Sequence, residues 1–480
     1  MTAKPLLLAG RWRETGALLG NDNPSDLDRP VGTYCVAAAA EVEEAIAAGQ
    51  RAFPAWRDTD PQTRADILER IGVELIARCD ELGRQLSEEQ GKILPDGIAE
   101  VKRAGQIFKF YGGEALRLDG DSLASLRPRM RAEVRREPLG LVAAITPWNF
   151  PIGVAAWKVA PALACGNCVM LKPSELAPAS AWSLAEIIQR AGLPPGVFQL
   201  LVGGPELGEA LVARPELAGI TFTGSTATGR RIAAAAAPHF CRLQLEMGGK
   251  NPLIVLADGD IELAVTAAFQ GAFLAAGQRC TATSRIIVAR PVLARFVEGL
   301  VARMKAVRVG HALASESEIG PVIDARQMRK NQEYIALGKS EGAELVQGGE
   351  VLTRSTRGHY LAPALFVGTH NGMRINREEI FGPIAAVIPA EDYDEALALA
   401  NDCAYGLTAA LISGKQAIAE HFKQHVETGL AIVNGPTVGA DYHAPFGGRK
   451  DSSYGWRETG RVAKDFFTLS KTIYQGGLHG

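Results

Sequence analysis

The sequence predicts an α/β fold: two regions of mainly parallel sheet covered by helices, joined to an extended arm. Three features of the 480 residues lead there. Residues 141–245 alternate short apolar strands with amphipathic helices, and residues 252–426 do so again. Residues 119–137 and 466–474 instead alternate polar with apolar side chains. Strand–helix alternation demands a parallel sheet with helices on both faces. Such a sheet gathers ligands at the carboxyl ends of its strands, and every polar motif below is expected at such an end.

Taken in order, residues 6–13 read as two short strands about a Gly turn. Residues 41–56, 61–78, 80–91 and 96–112 carry apolar side chains at three- and four-residue spacing and are expected to be helices. Asp60 and Pro61 supply the N-cap and first residue of the second. The stretch 119–137 is expected to stand off the body as an arm, and the tail 466–474 to pair with it. The first alternating region has strands at 141–145, 169–172, 197–202, 219–222 and 242–245, with helices at 178–191, 205–213 and 226–237. The second has strands at 252–256, 285–289, 384–389 and 407–412, with helices at 260–274, 291–306, 324–341, 392–401 and 415–426.

A composition of 47% hydrophobic and 22% charged residues provides a large core, and a net charge of −2 argues against a nucleic-acid or membrane partner. No apolar run reaches membrane-spanning length, and the start of the chain lacks the pattern of a signal peptide. Seven scattered cysteines fit reduced thiols in a cytoplasm. Cys165 and Cys168 have C-x-x-C spacing, but no second pair or nearby His completes a zinc site, so no metal is expected.

Cys280 lies in Ala-Ala-Gly-Gln-Arg-Cys-Thr-Ala-Thr-Ser-Arg, residues 275–285. Small residues before it allow a tight turn, and Arg279 and Arg285 favour a thiolate if near in space. A buried, inert cysteine is the alternative. Thr-Pro-Trp-Asn-Phe-Pro, 146–151, holds Asn149 at a strand end, as an oxyanion donor or a turn cap. Phe-Thr-Gly-Ser-Thr-Ala-Thr-Gly, 222–229, opens a helix whose free N–H groups suit a phosphate. Lys172-Pro-Ser174-Glu175 could reach ribose hydroxyls or form a surface ion pair. A carboxylate there would repel a 2′-phosphate, which leans towards NAD over NADP. Glu246 ends a strand beside two glycines, and Glu378-Glu-Ile-Phe-Gly-Pro383 adds a second carboxylate and an aromatic.

Together these motifs, in order and separation, resemble the aldehyde dehydrogenase superfamily over essentially the whole chain. The resemblance implies the aldehyde dehydrogenase fold. A Rossmann-like cofactor-binding domain would cover 1–118 and 138–248, an α/β catalytic domain 249–463, and a β-arm for oligomerisation 119–137 and 464–480. A homodimer or homotetramer is implied. So are roles: Cys280 as nucleophile, Glu246 as general base of deacylation, and Asn149 with the Cys280 backbone N–H as oxyanion donors. Lys158 matches a further family lysine and is counted as catalytic. For the cofactor, NAD with NADP possible, the resemblance implies Trp148, Lys172, Ser174, Glu175, Gly204, Gly224, Ser225, Gly229, Gln327, Lys330, Glu379 and Phe381. A non-catalytic dinucleotide-binding or structural member is the rival class, and Cys280, Glu246 and Asn149 argue against it.

For the aldehyde itself, Asp441-Tyr-His-Ala-Pro-Phe446 and the Cys280 stretch look most like 2-oxoglutarate semialdehyde (2,5-dioxopentanoate) dehydrogenases, with succinate semialdehyde or a broad range of aldehydes as alternatives. Phe150, Trp157 and Phe446 align with substrate-tunnel aromatics, or are core. Arg279 or Arg285 could meet a substrate carboxylate, and for Arg279 thiolate stabiliser and structural ion pair are equally open. Where the family commonly has Gly, this chain has Ser453.

Overall fold

In a computed structural model, which describes residues 2–476, two open sheets face one another across a cavity. The first runs in the order Arg11–Arg13, Leu6–Leu8, Phe198–Leu200, Cys168–Lys172, Leu141–Ile145, Leu217–Thr223, Arg242–Glu246, Ser453–Gly455. Its five central strands are parallel, with an antiparallel strand on either side. Leu141–Ile145 is buried throughout, as a central parallel strand must be. The strand order reverses around it, and a crevice opens at such a switch point.

The second sheet has the order Glu344–Gln347, Ala364–Val367, Ile384–Ala390, Thr283–Ala289, Asn251–Val255, Thr408–Ile412, Leu430–Val433, parallel except for its first strand. The helices Ala39–Arg57, Pro61–Ala77, Cys79–Gln90 and Leu94–Ala115 pack on the first sheet side, as their spacing predicts. Asp60 caps the second through the Thr63 N–H at 2.9 Å.

The arm is a three-stranded sheet in which Met130–Pro138 pairs with Asp121–Ala124 on one side and Thr468–Gly476 on the other, so the expected pairing of arm and tail is present. The tail strand begins at Thr468, not at 466. Phe466 and Phe467 end a short helix, Lys464–Phe467, and are buried against the first core. Residues 477–480 of the expected arm lie outside the described residues. The expected 249–463 boundary is also corrected, because Ser453–Gly455 joins the first sheet and Ala463 its core. The hairpin Leu18–Asn21 with Gly32–Cys35 and the strands at 344–347, 364–367 and 430–433 were not predicted. All are only four residues long; the hairpin and 344–347 mix polar with apolar residues, while 364–367 and 430–433 are apolar runs too short to read as strands by themselves.

No helix among the described residues is long and apolar enough to cross a membrane. All seven cysteines are free, and no group of three or more His, Cys, Asp or Glu among the described residues could hold a metal.

Candidate active site

A cavity of about 610 Å³ lies between the two sheets. From the first sheet it receives the loops after Leu141–Ile145 and Leu217–Thr223 and the end of Arg242–Glu246, all at carboxyl ends. The second sheet contributes differently. Cys280 precedes the strand Thr283–Ala289, and Glu379 and Phe381 precede Ile384–Ala390. The expectation that every motif sits at a carboxyl end is therefore corrected: the cavity joins carboxyl ends of one sheet to amino ends of the other.

The Cys280 loop turns through three residues with positive φ, Ala275 at 54°, Ala276 at 54° and Gly277 at 63°. A left-handed alanine costs roughly 1–2 kcal/mol. Gly277 has no substitute, because a Cβ there would lie 2.2 Å from the Gly382 carbonyl oxygen. The loop is tied down beyond the turn. Asn251 Nδ2 donates to the Cys280 carbonyl at 2.8 Å and Thr437 Oγ1 to that of Thr281 at 2.7 Å. Burial, followed by the charges of Glu379, Glu246 and Glu458, pushes the Cys280 thiol up to about 12. Of the readings open for Arg279, the structure supplies an acid partner, Asp96 at 3.6 Å, while burial and the neighbouring carboxylates disfavour the Cys280 thiolate.

Asn149 is buried in the turn 146–151, and its Nδ2 donates to the Gln278 carbonyl at 3.0 Å, which brings the amide to the Cys280 loop. One amide hydrogen remains for a ligand. A buried pair bolts this turn to the helix Leu94–Ala115. Lys92 Nζ meets Glu100 at 2.5 Å and donates to the Asn149 carbonyl at 2.8 Å, while Glu100 accepts from the Ile152 and Gly153 N–H groups.

Glu246 is 2% exposed. It accepts from Ser453 Oγ at 2.6 Å through Oε2, while Oε1 has no hydrogen-bond partner. Burial and the neighbouring Glu458 hold its carboxyl well above the usual range, opposed by Ser453, Lys158 and Arg457. Lys158 does not line the cavity. It is fully buried, ion-paired with Glu458 and donating to Thr221 Oγ1 at 3.0 Å. The structure sets it one layer behind the cavity, paired with Glu458, which does line it.

On the cofactor side, Trp148, Gly224, Ser225, Gln327, Lys330, Glu379 and Phe381 all line the cavity. Ser225 caps the helix Thr226–Ala236 through the Thr228 N–H. Trp148 meets Phe381 edge-on at 5.3 Å. Gln327 and Lys330 donate to the Phe381 and Glu379 carbonyls, each at 3.0 Å, so they hold the 379–381 loop in place. Glu379 accepts from the Gly249 N–H, and burial raises its carboxyl. Gly229 is corrected from cofactor contact to packing: it is buried away from the cavity, where a Cβ would lie 2.4 Å from Met247 Sδ.

Lys172, Ser174, Glu175 and Gly204 do not line this cavity. Lys172 and Glu175 lie 3.9 Å apart at the carboxyl end of Cys168–Lys172, Ser174 Oγ accepts from the Leu176 N–H, and Gly204 caps the helix Pro205–Val212. The strands before both helix starts and before this ion pair run parallel to one another in the first sheet, so all three lie at its carboxyl side.

On the substrate side, Phe150, Trp157, Phe446 and Arg279 line the cavity. Trp157 and Phe446 pack at 4.9 Å, and Lys92 Nζ lies 3.9 Å over the Phe150 ring. Arg285 is excluded from substrate contact. It is 1% exposed and donates to the Lys250, Leu399 and Ala400 carbonyls and to Asn371. Sequence reasoning missed Glu458, whose buried partner Lys158 lies 300 residues away, and also Lys92 and Glu100, which pair across only eight residues but at a helix start whose charges look like a solvated face. Arg103 and Asp96 also line the cavity and were not singled out in the sequence.

Comparison with known proteins bears on the whole chain. Residues 14–473 match the model of the aldehyde dehydrogenase family. The chain is 40% identical to a 2,5-dioxopentanoate dehydrogenase of Saccharolobus solfataricus, over 98% of either chain. It is 38% identical to an alpha-ketoglutaric semialdehyde dehydrogenase of Bacillus subtilis, over 97% of this chain and 96% of that one. A betaine aldehyde dehydrogenase of Staphylococcus aureus, solved in complex with NAD+, superposes with a TM-score of 0.96 at 32% identity over 99% of this chain and 95% of that one. The chain belongs to the aldehyde dehydrogenase family, NAD(P)+-dependent enzymes that oxidise an aldehyde to a carboxylic acid through a cysteine thioester.

Proposed function

We propose that the substrate is a carboxylate-bearing semialdehyde, best 2-oxoglutarate semialdehyde. The observation that carries this is Arg279. It precedes Cys280 and lines the cavity, its Nε is buried without a hydrogen-bond partner, and its only acid stands off at 3.6 Å. A guanidinium with unspent donors beside the nucleophile suits a planar carboxylate. The Saccharolobus and Bacillus relatives, named for this substrate, support the reading. A quaternary ammonium aldehyde would find aromatic faces in Trp157 and Phe446 but would meet Arg279 as a like charge.

In this reading Cys280, its thiol proton given up to solvent in the cavity, attacks the aldehyde carbon, and Asn149 Nδ2 with the Cys280 N–H holds the oxyanion of the thiohemiacetal. Each such donor is worth about 3–4 kcal/mol of barrier. Bound NAD+ supplies the hydride acceptor. Trp148, Gly224, Ser225, Glu379 and Phe381 would hold it at the cavity, and Lys172 with Glu175 its adenosine ribose; the carboxylate of Glu175 favours NAD over NADP. Glu246 takes a proton from the water that hydrolyses the thioester. The test is a comparison of kcat/KM for 2-oxoglutarate semialdehyde, succinate semialdehyde, betaine aldehyde and propanal, repeated with Arg279→Met. The acidic substrates should lead and lose that lead in the variant. Propanal or betaine aldehyde ranking highest in the parent would sink the assignment.

The division into cofactor and catalytic domains follows the two sheets. The arm supports a homodimer or homotetramer: its two outer strands leave free edges, and Leu126, Leu469 and Tyr474 are exposed on it. Sedimentation of a chain lacking 468–476 should then give a smaller species. Seven free cysteines support a cytoplasmic setting.

A further inference from the structure

We propose that Ser453 is a positioning residue for the general base. It holds Glu246 by one carboxylate oxygen and leaves the other free to take a proton from water at the acylated Cys280. The sheet itself makes the contact. Glu246 and Ser453 are register partners across the antiparallel pair Arg242–Glu246 and Ser453–Gly455, so their side chains share a face. The Ser453 hydroxyl has one hydrogen, and its direction is set. Oγ accepts from the Gly448 N–H at 2.5 Å, which leaves the hydrogen for Glu246 Oε2 at 2.6 Å.

Glu246 Oε1 is buried and has no partner, and it sits close to Gly447, where a Cβ would lie 2.6 Å from it. The carboxyl is therefore held at one end only. The other groups facing it act through charge: Glu458 disfavours the carboxylate, while Lys158 and Arg457 favour it. Ser453 is the single hydrogen-bond donor to Glu246 among the described residues, and a donor to a carboxylate favours the ionised, basic form. Without the hydroxyl the carboxyl has neither a fixed rotamer nor this stabilisation. A glycine or alanine at 453 would leave both oxygens unpartnered in a buried place.

The proposal rests on Glu246 being the deacylation base and separates from it in a rapid-quench experiment. NADH burst and acyl-enzyme decay are measured from pH 6 to 9 for the parent, Ser453→Ala and Ser453→Thr. Both 2-oxoglutarate semialdehyde and propanal are used, so an error in the substrate leaves the test intact. Ser453→Ala should keep a burst near one NADH per site. Its acyl-enzyme should decay about tenfold more slowly at pH 7, with the acid limb of decay moved up by about one pH unit. Ser453→Thr, which retains the hydroxyl, should restore both. Unchanged decay and limb in Ser453→Ala, or equal slowing in Ser453→Thr, would overturn the proposal. Loss of the burst would place Ser453 in the acylation step and overturn it too. Glu246→Gln decaying as fast as the parent would instead remove the base itself.

Discussion

Alkylation of the free enzyme by iodoacetamide tests the electrostatics of Cys280 directly. The thiolate is the reactive form, and an ordinary cysteine has a pKa near 8.5. Burial and then Glu379, Glu246 and Glu458 push the Cys280 thiol up to about 12. That corresponds to about 5 kcal/mol against ionisation. At pH 7.5 the thiolate fraction falls from about one in ten for an exposed thiol to about three in 10⁵, a drop of roughly three thousandfold. The inactivation rate should therefore rise tenfold per pH unit from pH 6 to 10 with no plateau. Glu379 is the foremost of the charges, and Glu379→Gln keeps an acceptor for the Gly249 N–H while removing the charge. This variant should react about tenfold faster at pH 7.5, one unit being an ordinary effect of a nearby charge. NAD+, which brings a positive ring to the same cavity, should speed alkylation of the parent. A rate that levels off near pH 8 in the free parent enzyme would refute the neutral resting thiol. No change in Glu379→Gln would refute the assignment of its cause.

Asn149→Ala should lower kcat for NADH formation by about 10²–10³ while leaving NAD+ affinity, read by tryptophan quenching, unchanged. Lys158→Met strands Glu458 as a buried carboxylate, a loss of about 3–5 kcal/mol. With about 2.1 cal/mol/K of unfolding entropy per residue over 480 residues, Tm should fall by about 3–5 °C in a calorimetric scan. Arg285→Met should likewise lower Tm, with no change in KM for the semialdehyde, because Arg285 donates to carbonyls and an amide in the second unit alone. Glu246→Gln should accumulate acyl-enzyme after a normal burst, seen by intact-protein mass spectrometry.

Much of this site was legible in the sequence because its parts sit where secondary structure changes. Asn149, Ser225 and Glu246 each follow or end an apolar strand whose bounds the residue pattern predicts within one or two positions. The Cys280 loop announces itself by its run of small residues, and Gly277 shows why they are small. What the pattern could not show was direction. Periodicity locates a strand but not which end of it faces a cleft, so Glu379 was expected at a carboxyl end although it precedes its strand. Nor does it distinguish the two arginines near Cys280. Arg279 and Arg285 are alike in one dimension, yet one opens on the cavity and the other disappears among backbone carbonyls. Lys158 was singled out by its match to a family lysine, and the match carries no direction: on the helix Trp157 reaches the cavity and Lys158, one step along, does not.

The segment after Pro445 carries Phe446 at the substrate wall, Ser453 on the base and Glu458 against Lys158, then closes the first core and ends as the tail strand of the arm. Chains are made from the amino end, so a ribosome releases the cysteine loop and the Asn149 turn well before the pieces that complete the base. Closing a loop of 300 residues between Lys158 and Glu458 is also slow compared with forming the local strand–helix units. A nascent chain would thus present its thiol without a finished hydrolytic partner. The same late-made segment that reaches the base also builds the arm, so the last contact to Glu246 and the assembly edge come from one stretch of chain.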